Sequence, residues 1–139
     1  MRLNIAVILI LIASIFSAGC LSESTIPIKD IVFDIKPAEL TVKSGDAAQV
    51  MIRVTNNGKT TIHPFVRFNM NASDRQYIRF INESYDIGSL RPGEDSGFRI
   101  VDFRAELAAG KEIKYPVRVQ VINDGKVLEN KDIVITVTR

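Results

Sequence analysis

The sequence predicts an all-β domain, an antiparallel sandwich of seven or eight strands, and three observations predict it. From Ile31 onward, apolar residues recur at every second position in short runs, without the 3.6-residue period of a helix. Turn-forming residues interrupt those runs at the spacing of a sandwich. An apolar leader takes the first 19 of the 139 residues, leaving 120, room for one core and no second domain.

The first strand runs through Ile31, Phe33 and Ile35, alternating with Val32, Asp34 and Lys36, until Pro37 breaks it. Leu40-Thr41-Val42 resumes it before Ser44-Gly45-Asp46 turns the chain. Both pieces read as one N-terminal edge strand, because an edge tolerates proline's missing donor. Val50, Ile52 and Val54 make the next strand, ending at Asn56-Asn57-Gly58-Lys59, where Asn and Gly accept positive φ. Val66, Phe68 and Met70 alternate with Phe65, Arg67 and Asn69, and a polar loop at 71–76 leads to a short strand at 77–81. After a turn at Pro92-Gly93, residues 97–105 return as a strand in which Phe98 and Ile100 break phase with Val101 and Phe103. A bulge is therefore expected near Ile100 or Val101. Residues 106–110 read as a short connection with room for one helical turn closed by Gly110. Tyr115, Val117, Val119 and Val121 form the clearest strand, Asn123-Asp124-Gly125-Lys126 turns it, and Ile133, Ile135 and Val137 finish the chain.

The leader has the order of a secretory signal, with a signal-peptide helix expected over 1–19. Met1-Arg2-Leu3-Asn4 is the positive start, Ile5 to Phe16 a largely apolar run of twelve, and Ser17-Ala18-Gly19 a small-residue stretch before Cys20. Twelve residues fall short of the ~20 that a bilayer-spanning helix requires, and no basic stop-transfer cluster follows. Both points weigh against the alternative, a retained single-span anchor. Ser17-Ala18-Gly19-Cys20 resembles the lipobox of prokaryotic lipoproteins, with Ser17 where Leu is more usual. The resemblance implies cleavage between Gly19 and Cys20 and a lipid on the Cys20 thiol, of diacylglyceryl or archaeal type. That would hold the protein at the outer face of the cytoplasmic membrane. Two chains at ~0.8 kcal/mol per buried methylene anchor stably where one is marginal. Residues 20–30 then read as lipidated cysteine and tether, polar and interrupted by Pro27. At ~3.3 Å per residue, 21–29 reach at most roughly 30 Å, so a protein partner is expected close to the membrane.

Four turn and strand patterns follow one another in the remaining chain: Leu40-x-Val42-x-x-Gly45-Asp46, Val54-Thr55-Asn56-Asn57-Gly58, Ile87-x-x-Leu90-x-Pro92-Gly93-Glu94, and a final hairpin ending Ile133-x-Ile135-x-Val137. In order and spacing they resemble the cell-surface immunoglobulin-like modules of the CARDB and NPCBM-associated NEW3 type, over residues 31–139. The resemblance implies an immunoglobulin-like β-sandwich used for adhesion, spacing or assembly, and it carries no catalytic motif. The function expected is a membrane-anchored, extracytoplasmic module that binds or assembles with a protein. A structural envelope protein acting as a spacer without a ligand is the alternative.

Composition narrows the chemistry. With 18 basic and 16 acidic residues, and 17 against 16 once Arg2 leaves with the leader, nucleic-acid binding has no support. Cys20 is the only cysteine, so the domain is expected to rely on packing without an internal disulfide. His63 is the only histidine, which disfavours histidine triads and clustered zinc ligands, and no catalytic residue or cofactor is assigned. Extended before Pro64, it reads as an ordinary surface histidine. Glu83, Asp86, Glu94 and Asp95 share one polar region without spacing that singles out a pair, leaving weak calcium binding or a small carboxylate-dependent hydrolase as further alternatives. No Trp is present to stack on a sugar ring.

Arg53, Arg67, Arg79, Arg99 and Arg118 each stand between apolar neighbours on a strand, so alternation turns them outward. In an immunoglobulin topology Arg67 and Arg118 lie on neighbouring strands, and Arg53, Arg67 and Arg118 make a candidate basic contact patch unless nearby carboxylates pair them. Asn71-Ala72-Ser73 and Asn82-Glu83-Ser84 are sequons that nominate Asn71 and Asn82 for glycosylation.

Overall fold

Over residues 29–139, the part of the chain that the computed structural model describes, the alternation resolves into nine strands. They are β1 (Ile31–Lys36), β2 (Glu39–Lys43), β3 (Ala47–Asn56), β4 (Phe65–Asn69), β5 (Ile78–Phe80), β6 (Ser84–Asp86), β7 (Arg99–Ala105), β8 (Glu112–Asn123) and β9 (Lys126–Thr138). The expected leader and tether, with Gly19 and Cys20, lie outside the described residues.

A four-stranded sheet, β1-β3-β7-β5, packs on a five-stranded one, β2-β9-β8-β4-β6. The first is the four-stranded sheet of an immunoglobulin sandwich, and β4-β8-β9 is its three-stranded partner. β2 and β6 widen that partner at its two edges, which takes the strand count past the seven or eight expected. β2 runs parallel to β9; the other pairs are antiparallel.

Period-two alternation fills the space between the sheets. Phe33, Val50, Ile52, Val54, Val101 and Phe103 from one sheet meet Val66, Phe68, Val117, Val119, Ile133 and Ile135 from the other, all at most 1% exposed. Aromatic rings cross the gap: Phe68 of β4 stacks on Phe80 of β5 at 4.3 Å, and Phe80 lies 5.2 Å from Phe103 of β7.

The chain changes sheets at both edges. The expected single edge strand divides at Pro37, so that β1 pairs with β3 and β2 with β9. Across the other edge, β5 pairs with β7 and β6 returns to pair with β4.

The expected bulge exists, displaced along the chain. Ile52 lies opposite Arg99 and Thr55 bridges Asp95, so Arg53 and Val54 face three residues, Ser96-Gly97-Phe98. Register with β3 is unbroken through Ile100 and Val101. Gly97, at φ 67°, supplies the left-handed residue that absorbs the extra length. A second slip, between Val121 and Ile122, lets both of those neighbours be buried. Residues 106–110 are irregular, without the helical turn that Gly110 was expected to close.

Two polar devices lock the loops. Asn56 is the only buried polar side chain among the described residues. Its amide donates to the carbonyls of Thr60 (2.8 Å) and Leu90 (2.9 Å), and its Oδ1 accepts the Gly58 N–H at 3.0 Å. Its backbone N–H donates to Glu94 O at 2.9 Å and its carbonyl accepts from Gly93 N–H at 2.6 Å. The turn after β3 is thereby joined to the Pro92-Gly93 turn. At the opposite corner Tyr115, buried near the start of β8, accepts the Ala108 N–H at 3.3 Å and lies 3.4 Å from the Glu106 carbonyl. This is the tyrosine corner of immunoglobulin sandwiches. Two residues on, Val117 fills the buried place where antibody domains carry a disulfide cysteine.

Asn56→Ala, which strands two carbonyls and an amide N–H, is expected to lose about 2–3 kcal/mol of stability, and Tyr115→Phe about 1 kcal/mol. Urea unfolding of the full-length protein checks both.

Candidate docking face

The strands of the four-stranded sheet turn their other side to solvent, and cross-strand register sets what that side displays. One row reads Lys36, Met51, Ile100. The next reads Gln49, Asp102 and Ile81, whose N–H donates to the Asp102 carbonyl at 3.2 Å. Seven large apolar side chains are exposed among the described residues, and five of them, Val32, Met51, Ile81, Phe98 and Ile100, stand on this face. Ile81 and Ile100 are 71% and 58% exposed. The other two, Val127 and Leu128, lie at the start of β9. The outer side of the five-stranded sheet is polar by contrast, displaying Thr41, Lys43, Lys114, Arg118, Gln120 and Arg67. Isolated exposed apolar residues are ordinary; a group of them on one sheet face is what makes this side a candidate for docking.

The bulge aims Phe98 into this group. The Arg53 guanidinium lies 4.6 Å from its ring centroid and Lys36 Nζ 5.3 Å from it. Arg53 in turn donates from Nη2 and Nε to Asp34 Oδ2, at 2.6 and 3.1 Å, and its Nε lies 3.7 Å from Asp95 Oδ2. The hydrogen bond to Asp34 raises the Arg53 pKa. Asp95 is held below the usual carboxylate range by the Thr55 hydroxyl, then by the Gly97 N–H.

The expected patch of Arg53, Arg67 and Arg118 is not one surface. β3 and β8 belong to opposed sheets, so Arg53 and Arg118 point in opposite directions. Arg67 and Arg118 do share a face, opposite Gln120 and Asn69 respectively. Arg118 is forked onto Asp132 at 2.9 and 3.3 Å, and Arg67 lies 5.7 Å from the Phe65 ring centroid. A shallow hollow of 370 Å³ opens beside Arg118 and Asp132.

His63 has company that sequence spacing did not show. The Ile62–Leu90 bridge brings its Nδ1 to 3.1 Å from Ser89 Oγ, while its Nε2 lies 2.9 Å from Asp86 Oδ1. Side chains of His63 and Asp86 are 59% and 72% exposed, on open surface, and Asp86 Oδ1 also accepts the Gly88 N–H at 2.8 Å. The three residues tie one loop to another. The Gly88 N–H is the main cause that lowers the Asp86 pKa, with His63 and Arg99 adding to it. The other acids of that region have separate partners: Glu83 pairs with Arg75 at 3.1 Å, and Glu94 accepts the Arg91 N–H at 2.6 Å. No three His, Cys, Asp or Glu side chains converge as metal ligands among the described residues. Asn71 and Asn82 are both exposed, in the loops on either side of β5.

No protein-family model matches the chain, and no curated protein is significantly similar to it. Solved structures are. The CARDB domain of a Pyrococcus furiosus protein, solved in complex with di-metal ions, has 19% identity, with 86% of this chain and 97% of that one covered, at a TM-score of 0.56. Salmonella alpha-2-macroglobulin has 14% identity over 78% of this chain, at 0.52; the match spans 7% of that much longer protein. A FixG-related protein from Vibrio parahaemolyticus has 6% identity, with 81% and 98% covered, at 0.50. This chain shares their sandwich. Its fold is an immunoglobulin-like β-sandwich, similar to that of the CARDB domain.

A pH dependence follows from the aspartates. Asp86 and Asp95 titrate lower in the folded protein than the ordinary value of about 3.9, so their bonds stabilise the fold above that pH and are lost as pH falls through the folded values. The urea midpoint should drop between about pH 5 and about pH 2, and the drop should be smaller in Asp86→Asn combined with Asp95→Asn.

Proposed function

We propose that this protein is a lipid-anchored, extracytoplasmic module for binding or assembly, and that it presents the outer face of its four-stranded sheet to a protein partner. The group formed by Met51, Phe98, Ile100 and Ile81 carries this reading. Met, aromatic residues and Arg are the types enriched where proteins meet, and here Met51, Phe98 and Arg53 stand together. Immunoglobulin-like sandwiches host many roles, so it is the face, more than the fold, that supports binding.

Anchoring rests on Ser17-Ala18-Gly19-Cys20, with cleavage after Gly19 and the lipid on Cys20. The tether would enter at Lys29 and Asp30, directly before β1, an edge of the sheet that bears the docking face. Lys29 Nζ lies 2.7 Å from Glu129 Oε2, an ion pair beside that entry point. A reach of roughly 30 Å keeps that face near the headgroups, within range of other membrane-held proteins. Glycans on Asn71 and Asn82 would flank β5, and one on Asn82, next to Ile81, would restrict the approach from that edge.

Mass spectrometry of the native protein, purified from cross-linked and detergent-solubilised membranes, tests the reading. The expected result is an N-terminal peptide that begins at a lipid-bearing Cys20, with one reproducible partner whose recovery falls when Ile100 is replaced by Ser. An unmodified peptide beginning at Met1 refutes the anchor. A lipidated chain recovered alone favours the spacer.

A further inference from the structure

The charges of the docking face define what it binds, provided that it is a docking face as proposed above. We infer that it takes an extended acidic protein segment, whose apolar side chain lies on Met51 and Ile100 and whose carboxylate sits between Arg79 and Arg104.

Register places Arg79 of β5 directly opposite Arg104 of β7, both exposed. Opposed residues in an antiparallel pair have Cβ atoms about 5 Å apart, and like charges there destabilise the sheet. Their neighbours relieve little of this repulsion. Arg104 has no carboxylate within 4.0 Å among the described residues, and Arg79 meets Glu106 only at 4.0 Å while its Nε donates to the Gln76 carbonyl at 3.0 Å. On the far side of Arg104 stands Ala47, too small to fill the space, and a 190 Å³ hollow lies between Ala47, Ile81, Arg79 and Arg104. Asp102 also lines it, with Oδ1 accepting from Gln49 Nε2 at 2.6 Å. Two guanidiniums beside one hollow match the planar, paired oxygens of a carboxylate.

The rest of the face agrees. At the opposite end of the apolar row Lys36 is a second cation with no carboxylate within 4.0 Å among the described residues. The face's own carboxylates are engaged, Asp34 and Asp95 by Arg53 and Asp102 by Gln49. Their presence disfavours an anionic lipid surface, which would meet all three at once, whereas a segment can place its charges between them. Ile100 and Arg104 are four residues apart, roughly 13 Å along the strand. An extended segment following β7 would therefore carry its acidic residue about four positions from its apolar one.

Random-peptide display on the full-length protein in detergent, followed by affinity measurement of the enriched sequences as synthetic peptides, tests this. Enrichment of Asp or Glu about four positions from Leu, Ile or Phe is expected. Binding should weaken about tenfold or more in Arg104→Glu, Arg79→Gln and Ile100→Ser, and hold in Arg118→Lys on the other sheet. Arg104→Glu should also raise the urea midpoint, because it turns a repulsive pair into an attractive one, so loss of binding cannot be laid to misfolding. Enrichment of basic peptides, binding indifferent to Arg79 and Arg104, or no enrichment above the Ile100→Ser control would each overturn the inference. So would sedimentation with phosphatidylglycerol vesicles that depends on the same residues, which would give the face to the membrane. None of these results depends on Cys20, so the anchor stands or falls separately.

Discussion

A single apolar layer, uncrossed by any covalent staple, holds the two sheets together. The only cysteine in the chain is Cys20, outside the sandwich, and the position where antibody domains place a bridge holds Val117. A domain of this size has little margin, so nearly every inward position is spent on packing, Asn56 being the buried polar exception among the described residues. Phe68, Phe80 and Phe103 show the result, a ladder of rings running from one sheet to the other. Alternation then leaves each strand only its outward residues for any other task.

That constraint explains the proposed docking face. β7 must keep Val101, Phe103 and Ala105 in the layer, while the loop before it must reach the buried amide of Asn56. The two demands differ by one residue of register, and Ser96-Gly97-Phe98 takes up the difference. Phe98 is thereby turned outward onto Arg53 and Lys36, beside Met51 and Ile100. Apolar residues on the solvent side add nothing to the core, and Arg79 opposite Arg104 works against the sheet. Departures of this kind from what stability asks are where function is found.

Much of the strand pattern was legible because burial on one side of a strand is a local, period-two property. Val50-Ile52-Val54 and Tyr115-Val117-Val119-Val121 read directly as core, and the Asn56 turn read directly as a turn. Phase breaks were legible as well: Phe98 and Ile100 announce an irregularity, although their phase points to Ile100 or Val101 and the slip is at 96–98. Pro37 was visible as a break, but a break within a strand and a change of sheet look the same along one chain.

Contacts between distant segments were not legible, since they depend on which strands become neighbours. Arg53 and Arg118 look equivalent in sequence, each between apolar neighbours, yet opposed sheets point them apart and each meets its own aspartate. His63, Asp86 and Ser89 are scattered along the chain until the Ile62–Leu90 bridge gathers them. The sequence by itself determined the all-β class, most residues of the core and the alternation that turns Arg53, Arg67, Arg79 and Arg118 outward, because each follows from the stereochemistry of one strand; Arg99, opposite the buried Ile52 and donating to the Ile87 carbonyl, takes the inner side beyond the bulge. Only the tertiary structure decided which outward residues share a face, setting Met51 beside Ile100 and Arg79 against Arg104, because register across strands is chosen by the packing of the whole sandwich.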